Sequence, residues 1–137
     1  MLREASISEI TSKKIPKEQR VLVNRGRGND ELAPGDELFA EVQAAKHARE
    51  KELGKSSDEA HNQAFLDCSF TERFRAQIES DKAALARLEE IAKRAETEDV
   101  WLVCYEGAGK ACHRRTLMRI AAERFGVETA VEGIEPS

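Results

Sequence analysis

The sequence is poor in aromatic residues and contains no long apolar run. Its 137 residues include five Phe, one Trp, one Tyr and only three Pro. Nowhere do eighteen apolar residues follow one another, so we expect no membrane span. The first ten residues, MLREASISEI, lack the apolar core of a signal peptide, so we expect none.

Cysteine is also scarce, and the chain lacks an excess of positive charge. The three cysteines, Cys68, Cys104 and Cys112, form an odd set without the spacing of a disulfide framework. We therefore expect free, reduced thiols in a cytoplasmic protein. The formal net charge of -4 argues against a general nucleic-acid coat protein, which would carry a basic surface, but it allows a local basic pocket.

The remaining composition is that of one charged, folded domain. Apolar residues make up 40% of the chain and charged residues 35%. A chain of 137 residues can bury a real core but is too short for two ordinary domains. We therefore treat residues 1–137 as a single domain.

Short apolar runs predict the strands. Residues 19–25, QRVLVNR, and 100–105, VWLVCY, indicate buried parallel strands, and the second of these should lie in the sheet interior. Residues 3–10, REASISEI, alternate only loosely and are a weaker candidate for a first strand. Residues 127–131, VETAV, are predicted as the last strand.

Helical spacing predicts that most of the chain between Asp36 and Asp99 is helical. Asp36 is the predicted cap of the first helix, Gly54 ends it, and capping boxes are predicted at Ser56–Glu59 and Ser69–Glu72. A last helix starts near Ala111 or Cys112 and stops at Gly126. The predicted apolar stripes, in chain order, are Leu38, Phe39, Val42, Ala45 and Leu53; Phe70, Phe74 and Ile78; Leu85, Leu88, Ile91, Ala92 and Ala95; and Leu117, Ile120, Ala121 and Phe125.

This order of elements predicts an α/β domain with a small, mainly parallel sheet flanked by helices. A helical insertion separates the second strand from the strand that ends at Cys104. In open sheets of this kind, ligands bind beyond the carboxyl ends of the strands. The stretch CYEGAGKACHRR, residues 104–115, lies at such an end.

Three familiar kinds of site fit this stretch poorly. GAGKA, residues 107–111, lacks the first glycine and the Ser or Thr of a phosphate-binding P-loop. A phosphatase or rhodanese loop would end on an arginine, where this chain has Lys110, a point charge without a bidentate fork. Zinc ligands usually lie two to four residues apart, whereas Cys112 and His113 are adjacent and would diverge by about 100° on a helix. A fourth ligand would have to be Cys68 or His61, so we expect no metal.

The stretch fits an anion site better. A helix starting at Cys112 directs free backbone N–H groups and its positive dipole end toward the strand end, and Arg114 adds a guanidinium there. Arg115 is expected to be solvated, and Glu106 to pair with an arginine or act as a general acid or base. In the earlier loop, NRGRG, Arg25 and Arg27 are further phosphate-binding candidates. The remaining histidines, His47 and His61, are expected at the surface.

Several of these motifs together resemble the family called domain of unknown function 488. The likeness rests on LVCYEGAGKACHRR, on VLVNR with the glycine-rich loop and LAPGDELFAEV, and on the helical segment with Phe70, Phe74 and Ile78. It covers most of residues 19–126 and implies an α/β Rossmann-like fold. It also implies that Cys104, Glu106, Cys112, His113 and Arg114 form one site in which Arg25 takes part. It implies no particular activity.

Two hypotheses follow for the function. In the first, Cys104, Glu106 and His113 are catalytic and Arg25, Cys112 and Arg114 bind an anion, namely a nucleotide or a nucleic-acid phosphate. In the second, the chain is a non-enzymatic interaction module in which the Cys-His-Arg cluster is structural. A buried Arg114 that pairs only with protein carboxylates would favour the second. The sequence specifies no cofactor, and among partners we expect no membrane and leave a homodimer open.

Overall fold

The protein is described by a computed structural model that covers residues 1–54 and 57–135. Along these residues two strands are followed by four helices, a third strand, a fifth helix and a last strand, with short 3₁₀ turns at Ile7–Glu9, Lys17–Gln19 and Asp30–Leu32. The strands are β1 (Leu2–Ser6), β2 (Arg20–Leu22), β3 (Val100–Cys104) and β4 (Thr129–Ala130). The helices are α1 (Asp36–Leu53), α2 (Asp58–Asp67), α3 (Phe70–Glu79), α4 (Lys82–Ala95) and α5 (His113–Phe125).

The four strands form one parallel sheet in the order β2-β3-β1-β4. The predicted α/β class with a parallel, Rossmann-like sheet is therefore confirmed. β3 lies between β2 and β1, which confirms its predicted position in the interior. β1 pairs with β3 from Leu2 opposite Val100 to Ser6 opposite Cys104. Because β1 is covered on both faces, its sequence lacks the alternation that marks a half-exposed strand.

The helical insertion forms as predicted and supplies much of the core. Phe70, Phe74 and Ile78 of α3 are all buried, since their i, i+4 spacing places them on one face of the helix. The α1 stripe is only partly buried: Leu38 and Val42 are inside, but Phe39 is 39% exposed. Phe39 lies instead beneath the guanidinium of Arg25, whose Cζ is 4.4 Å from the ring centroid.

The observed starts of two helices differ from the predicted N-caps. Gly35, not Asp36, precedes α1, and the Asp36 carboxylate pairs with Arg25. Ser69 precedes α3 as predicted, but its side chain makes no capping hydrogen bond. Ser57 caps α2 by accepting from the N–H of Ala60 at 3.3 Å, and the predicted cap at Ser56 lies outside the described residues.

The last helix ends where the sequence predicts. Gly126 follows α5 with a φ of 69°, a left-handed conformation that glycine adopts without steric cost. Among the described helices, none combines the length and apolar character that crossing a membrane requires.

Candidate functional site

The site lies where β3 ends and α5 begins. Cys104 is the last residue of β3, Cys112 is the residue before α5, and His113 is its first residue. Sγ of Cys104, Sγ of Cys112 and a ring nitrogen of His113 lie within 4.8 Å of one another, and all three residues are buried. Two cysteines eight positions apart therefore meet in space because residues 105–111 turn back on themselves.

Helix α2 holds that turn in place. The side-chain amide of Asn62 donates to the carbonyl of Gly109 at 3.0 Å and accepts from the N–H of Ala111 at 2.7 Å. Nε2 of His61 lies 2.7 Å from the carbonyl oxygen of Ala111. His61 is 5% exposed, so the prediction of a surface histidine is wrong for this residue, whereas His47 is exposed as predicted.

The imidazole of His113 has a fixed orientation. Its Nε2 lies 2.8 Å from the carbonyl oxygen of Val23, and because a carbonyl only accepts, Nε2 carries a hydrogen. Its Nδ1 consequently faces Sγ of Cys112 at 3.7 Å. The edge of the ring packs against Phe74, with centroids 5.3 Å apart. The hydrogen bond to Val23 thus aims the other ring nitrogen, Nδ1, at a sulfur.

The surroundings of Cys112 favour its thiolate form. Burial alone would raise the pKa of Cys112, but a hydrogen bond from the Cys104 thiol and the positive charge of His113 outweigh burial and hold that pKa well below its ordinary value. The position at the amino end of α5 acts in the same direction. In return, the Cys112 thiolate raises the pKa of His113 even though burial opposes the charged ring. Both shifts favour a thiolate–imidazolium pair.

Cys104 and Glu106 have the opposite tendency. The hydrogen bond from Cys104 to Cys112, together with burial, raises the pKa of Cys104 far above that of a free thiol. Burial, followed by the negative charge of Cys112, also raises the pKa of Glu106. Oε2 of Glu106 is buried and has no hydrogen-bond partner among the described residues. Cys104 and Glu106 therefore both favour their protonated forms, whereas the neighbouring Cys112 favours its thiolate form.

Arg114 and Arg115 both bind a carboxylate of β1. Nε of Arg114 and Nε of Arg115 each donate to Oε1 of Glu4 at 2.9 Å, and the three side chains are at most 2% exposed. The predicted solvation of Arg115 is therefore wrong. Arg114 has the arrangement expected of a structural residue, since its described ion-pair partner is a protein carboxylate. Its Nη1 is buried and lacks a partner among the described residues.

Arg115 also ties two segments of the chain to this cluster. Its guanidinium donates to the carbonyl oxygens of Lys110 at 2.6 Å, of Gly107 at 3.1 Å and of Ile134 at 2.8 Å. The arginine thus fixes the loop before α5 and the segment after β4. No local sequence pattern predicts this arrangement, because the carboxylate that binds both arginines lies on β1, far away in the chain.

A cavity of about 300 Å³ opens beside the cluster, at the carboxyl ends of β2 and β3. Of the predicted site residues, Arg25, Cys104, Glu106 and His113 line it, whereas Cys112 lines a second cavity of about 180 Å³. The lining is mostly apolar and includes Phe39, Val42, Phe65 and Phe70. It also includes Asn24 and His61, neither of which was predicted as a site residue.

Two arginines of the glycine-rich loop lie near the cavity entrance. Arg25 lines the cavity and pairs with Asp36, and the two side chains are 36% and 94% exposed. Arg27 does not line the cavity, but its Nη2 donates to the hydroxyl of Tyr105 at 3.2 Å. Tyr105 is itself 62% exposed at the cavity edge. The structure therefore brings the glycine-rich loop after β2 and the loop after β3 together at the entrance of one cavity.

The cluster of Cys104, Cys112 and His113 also has the donor atoms of a metal site. Sequence spacing argued against this set, but the turn at residues 105–111 and the Nδ1 of His113 bring the donors together. A closed structural zinc site needs four ligands. Neither Cys68 nor His61 belongs to the cluster formed by the described residues. The set corresponds at most to an open, three-ligand site.

The fold and the site define an α/β domain of the Rossmann-like type with a thiol and imidazole cluster at the carboxyl edge of a parallel sheet. Residues 7–124 match the family model described as the active DUF488-N3 subclade. The chain therefore belongs to the domain of unknown function 488 family. No curated protein and no solved structure matches it.

Proposed function

We propose that the chain is a thiol-dependent enzyme in which Cys104 is the nucleophile. The observation that carries this proposal is the convergence of Cys104, Cys112 and His113 beside a cavity that Cys104 lines. A nucleophile within reach of a base, which is itself oriented by a third group, is the usual arrangement of covalent catalysis. Here the base is the Cys112 thiolate, and His113 orients and stabilises it.

The proposed step moves two protons, forms a bond between the Cys104 sulfur and the ligand, and breaks the ligand's bond to its leaving group. The Cys104 thiol gives its proton to the Cys112–His113 pair as its sulfur attacks an electrophilic atom of the ligand. The proton transfer is what makes Cys104 reactive, because the thiolate and not the thiol is the nucleophile. Protonated Glu106 lines the same cavity and donates its proton to the leaving group. The raised pKa of Glu106 supports this role, since a general acid must hold its proton near neutral pH.

The ligand of the proposed enzyme is a nucleotide or a nucleic-acid phosphate, and Arg25 is its anion-binding residue. The ion pair of Arg25 with Asp36 is largely exposed and so is weak enough for a phosphate to displace the carboxylate. Arg114 takes no part in this proposal, because Glu4 already occupies its Nε. Since a catalytic thiolate must remain reduced, we place the protein in a reducing compartment such as the cytoplasm. The description of the matched subclade as active agrees with an enzyme.

Differential alkylation tests this proposal, with Cys68 as the internal control. The protein is treated with iodoacetamide at pH 7, and the modified cysteines are identified over time by peptide mass spectrometry. Burial, followed by the charge of Glu41, raises the pKa of Cys68, which is more exposed than the other two cysteines. We expect Cys104, which lines the cavity and can pass its proton to Cys112, to react at least tenfold faster than Cys68 despite its burial. The reaction is run with and without a chelator, because a metal held by the three donors would block both thiols.

A second candidate function, the non-enzymatic interaction module, is favoured by the burial of Arg114 against Glu4. In that case the cluster only holds the β3–α5 turn, and neither Cys104 nor Cys112 has special reactivity. Alkylation of Cys68 ahead of both would therefore reject the enzyme and support the module. Replacing Cys112 with Ser should slow alkylation of Cys104 in the enzyme, since the proton acceptor is lost, but should leave it unchanged in the module.

A further inference from the structure

Asn24 is a buried polar residue whose side chain has no described partner. It follows β2 by two positions, is 4% exposed and lines the cavity beside Cys104. Neither Oδ1 nor Nδ2 of its amide finds a hydrogen-bond partner within residues 1–54 and 57–135. Buried amides in folded proteins are almost always satisfied, because an unmade hydrogen bond leaves the loss of solvation uncompensated. The Asn24 amide therefore offers an adjacent donor and acceptor to a molecule in the cavity.

Two other unpartnered atoms belong to residues that line the same cavity. Nε2 of His61 faces the carbonyl oxygen of Ala111, so in the neutral ring Nδ1 is an acceptor. Oε2 of Glu106 is the other unpartnered atom, and the carboxyl group donates when protonated. The same cavity is lined by aromatic and aliphatic side chains, among them Phe39, Phe65 and Val42. The cavity therefore suits a flat, largely apolar ligand with several hydrogen-bonding groups on its edge.

We propose that the cavity binds a nucleobase through paired hydrogen bonds between the Asn24 amide and the edge of the base. A base carries adjacent donors and acceptors on one planar edge, and a side-chain amide pairs with such an edge in bidentate fashion, as Asn does with adenine. With the base inside, the phosphate lies near Arg25 at the partly exposed entrance. This inference rests on the proposed function, since it names the substrate class of the same cavity. About 300 Å³ is at the lower end of ordinary ligand pockets and suits a single base with its sugar.

Calorimetric titration tests the proposal independently of any chemistry. The probes are the four ribonucleoside 5′-monophosphates, and ribose 5-phosphate serves as the control that lacks a base. We expect at least one mononucleotide to bind at least tenfold more tightly than ribose 5-phosphate. We expect Asn24→Leu to abolish that preference and Asn24→Asp, which keeps the shape but loses the donor, to change the order of the bases. Gln43→Leu is the matched control, since Gln43 is a partly buried amide on the same cavity that should change affinity less than threefold.

Thermal unfolding shows whether the Asn24 variants remain folded. The Asn24 amide makes no hydrogen bond with the described residues, so its removal breaks none of them. Asn24→Leu should therefore unfold at the same temperature as the wild type or higher. The wild type, but not Asn24→Leu, should gain thermal stability from the mononucleotide that binds. Tighter binding of a single-stranded tetranucleotide would identify the base as part of a nucleic acid, and weaker binding would identify a free nucleotide; either result supports the proposal.

Two results would overturn it. One is equal affinity of the wild type for all mononucleotides and ribose 5-phosphate, or no binding at millimolar ligand. The other is an equal loss of affinity in Asn24→Leu and Gln43→Leu. The two proposals can fail separately. If base binding depends on Asn24 but Cys68 is alkylated first, this inference stands and the proposed thiol chemistry is rejected. If Cys104 is alkylated fast but no base binds, the thiol chemistry stands and this inference is rejected.

Discussion

Glu4 and Arg114 are 110 positions apart in the chain, yet Nε of Arg114 donates to Oε1 of Glu4 at 2.9 Å. The carboxylate lies on β1 in the middle of the sheet, and the arginine lies in the first turn of α5. The same carboxylate accepts from Arg115 and, through Oε2, from the N–H of Glu132 at 2.9 Å. One buried acid thus joins the central strand, the helix behind the site and the segment that follows β4.

We expect Glu4→Gln to destabilise the fold strongly. The variant keeps the shape of the side chain but leaves two buried guanidinium groups without their counter-ion. Removing one partner of a buried ion pair typically costs about 3–5 kcal/mol. Urea unfolding should therefore show a loss of this size in the free energy of unfolding. Glu123→Gln is the control, because Glu123 is 50% exposed in its pair with Arg75 and should cost less than about 1 kcal/mol. Similar losses in the two variants would contradict the role given to Glu4.

The thiolate of Cys112 should be visible in a titration of ultraviolet absorbance at 240 nm. Because the hydrogen bond from Cys104 and the charge of His113 lower the pKa of Cys112, one thiolate should persist well below the ordinary cysteine pKa of about 8.5. Cys112→Ser should remove this absorbance step. Cys104→Ala and His113→Gln should each shift the step to higher pH, since each removes one stabilising influence. An unchanged step in both of these variants would show that the two neighbours do not stabilise the thiolate.

Glu106 should reduce stability at neutral pH. Its folded-state pKa lies above the unfolded value of 4.5, so its favourable contribution is complete below pH 4.5 and is lost as the pH rises through the folded pKa. A glutamine cannot ionise and does not undergo this loss. We therefore expect Glu106→Gln to gain stability over the wild type as the pH is raised from 4 to 8, measured by urea unfolding at each pH. Glu89→Gln, an exposed charge removal on α4, should show no such trend.

Local sequence patterns predicted the elements but only part of the site. The i, i+4 spacing of Phe70, Phe74 and Ile78 and the apolar run before Cys104 depend on neighbours in sequence, so α3 and β3 could be predicted. The orientation of Arg115 depends on Glu4, and the burial of His61 depends on Ala111, 50 positions away. No local pattern encodes such pairings.

Unlike the contacts of Arg115 and His61, the position of Asn24 in the site could have been predicted from the local sequence. It directly follows the apolar run VLV of a predicted parallel strand, and polar residues at the carboxyl ends of such strands commonly face the ligand. Arg25 and Arg27 were predicted as site residues instead, because the glycines and the positive charge after Asn24 are typical of a phosphate-binding loop. Position at the strand end was therefore more informative here than charge.

Arg115 should control the order of the loop that precedes α5. Its guanidinium bonds to Glu4 and to three carbonyl oxygens, those of Gly107, Lys110 and Ile134, whereas a lysine can reach few of these acceptors at once. We expect Arg115→Lys to lower the free energy of unfolding by about 2 kcal/mol or more, since bonds to charged groups contribute about 1.5–3 kcal/mol each. Hydrogen exchange at the amides of Lys110 and Ile134 should accelerate about tenfold, because both amides bond within the segments that Arg115 holds. Arg119→Lys is the matched control on the same helix: Arg119 is 51% exposed and pairs with Glu135, so its replacement should leave both amides unchanged. Equal exchange in the two variants would mean that the loop keeps its conformation without the buried guanidinium.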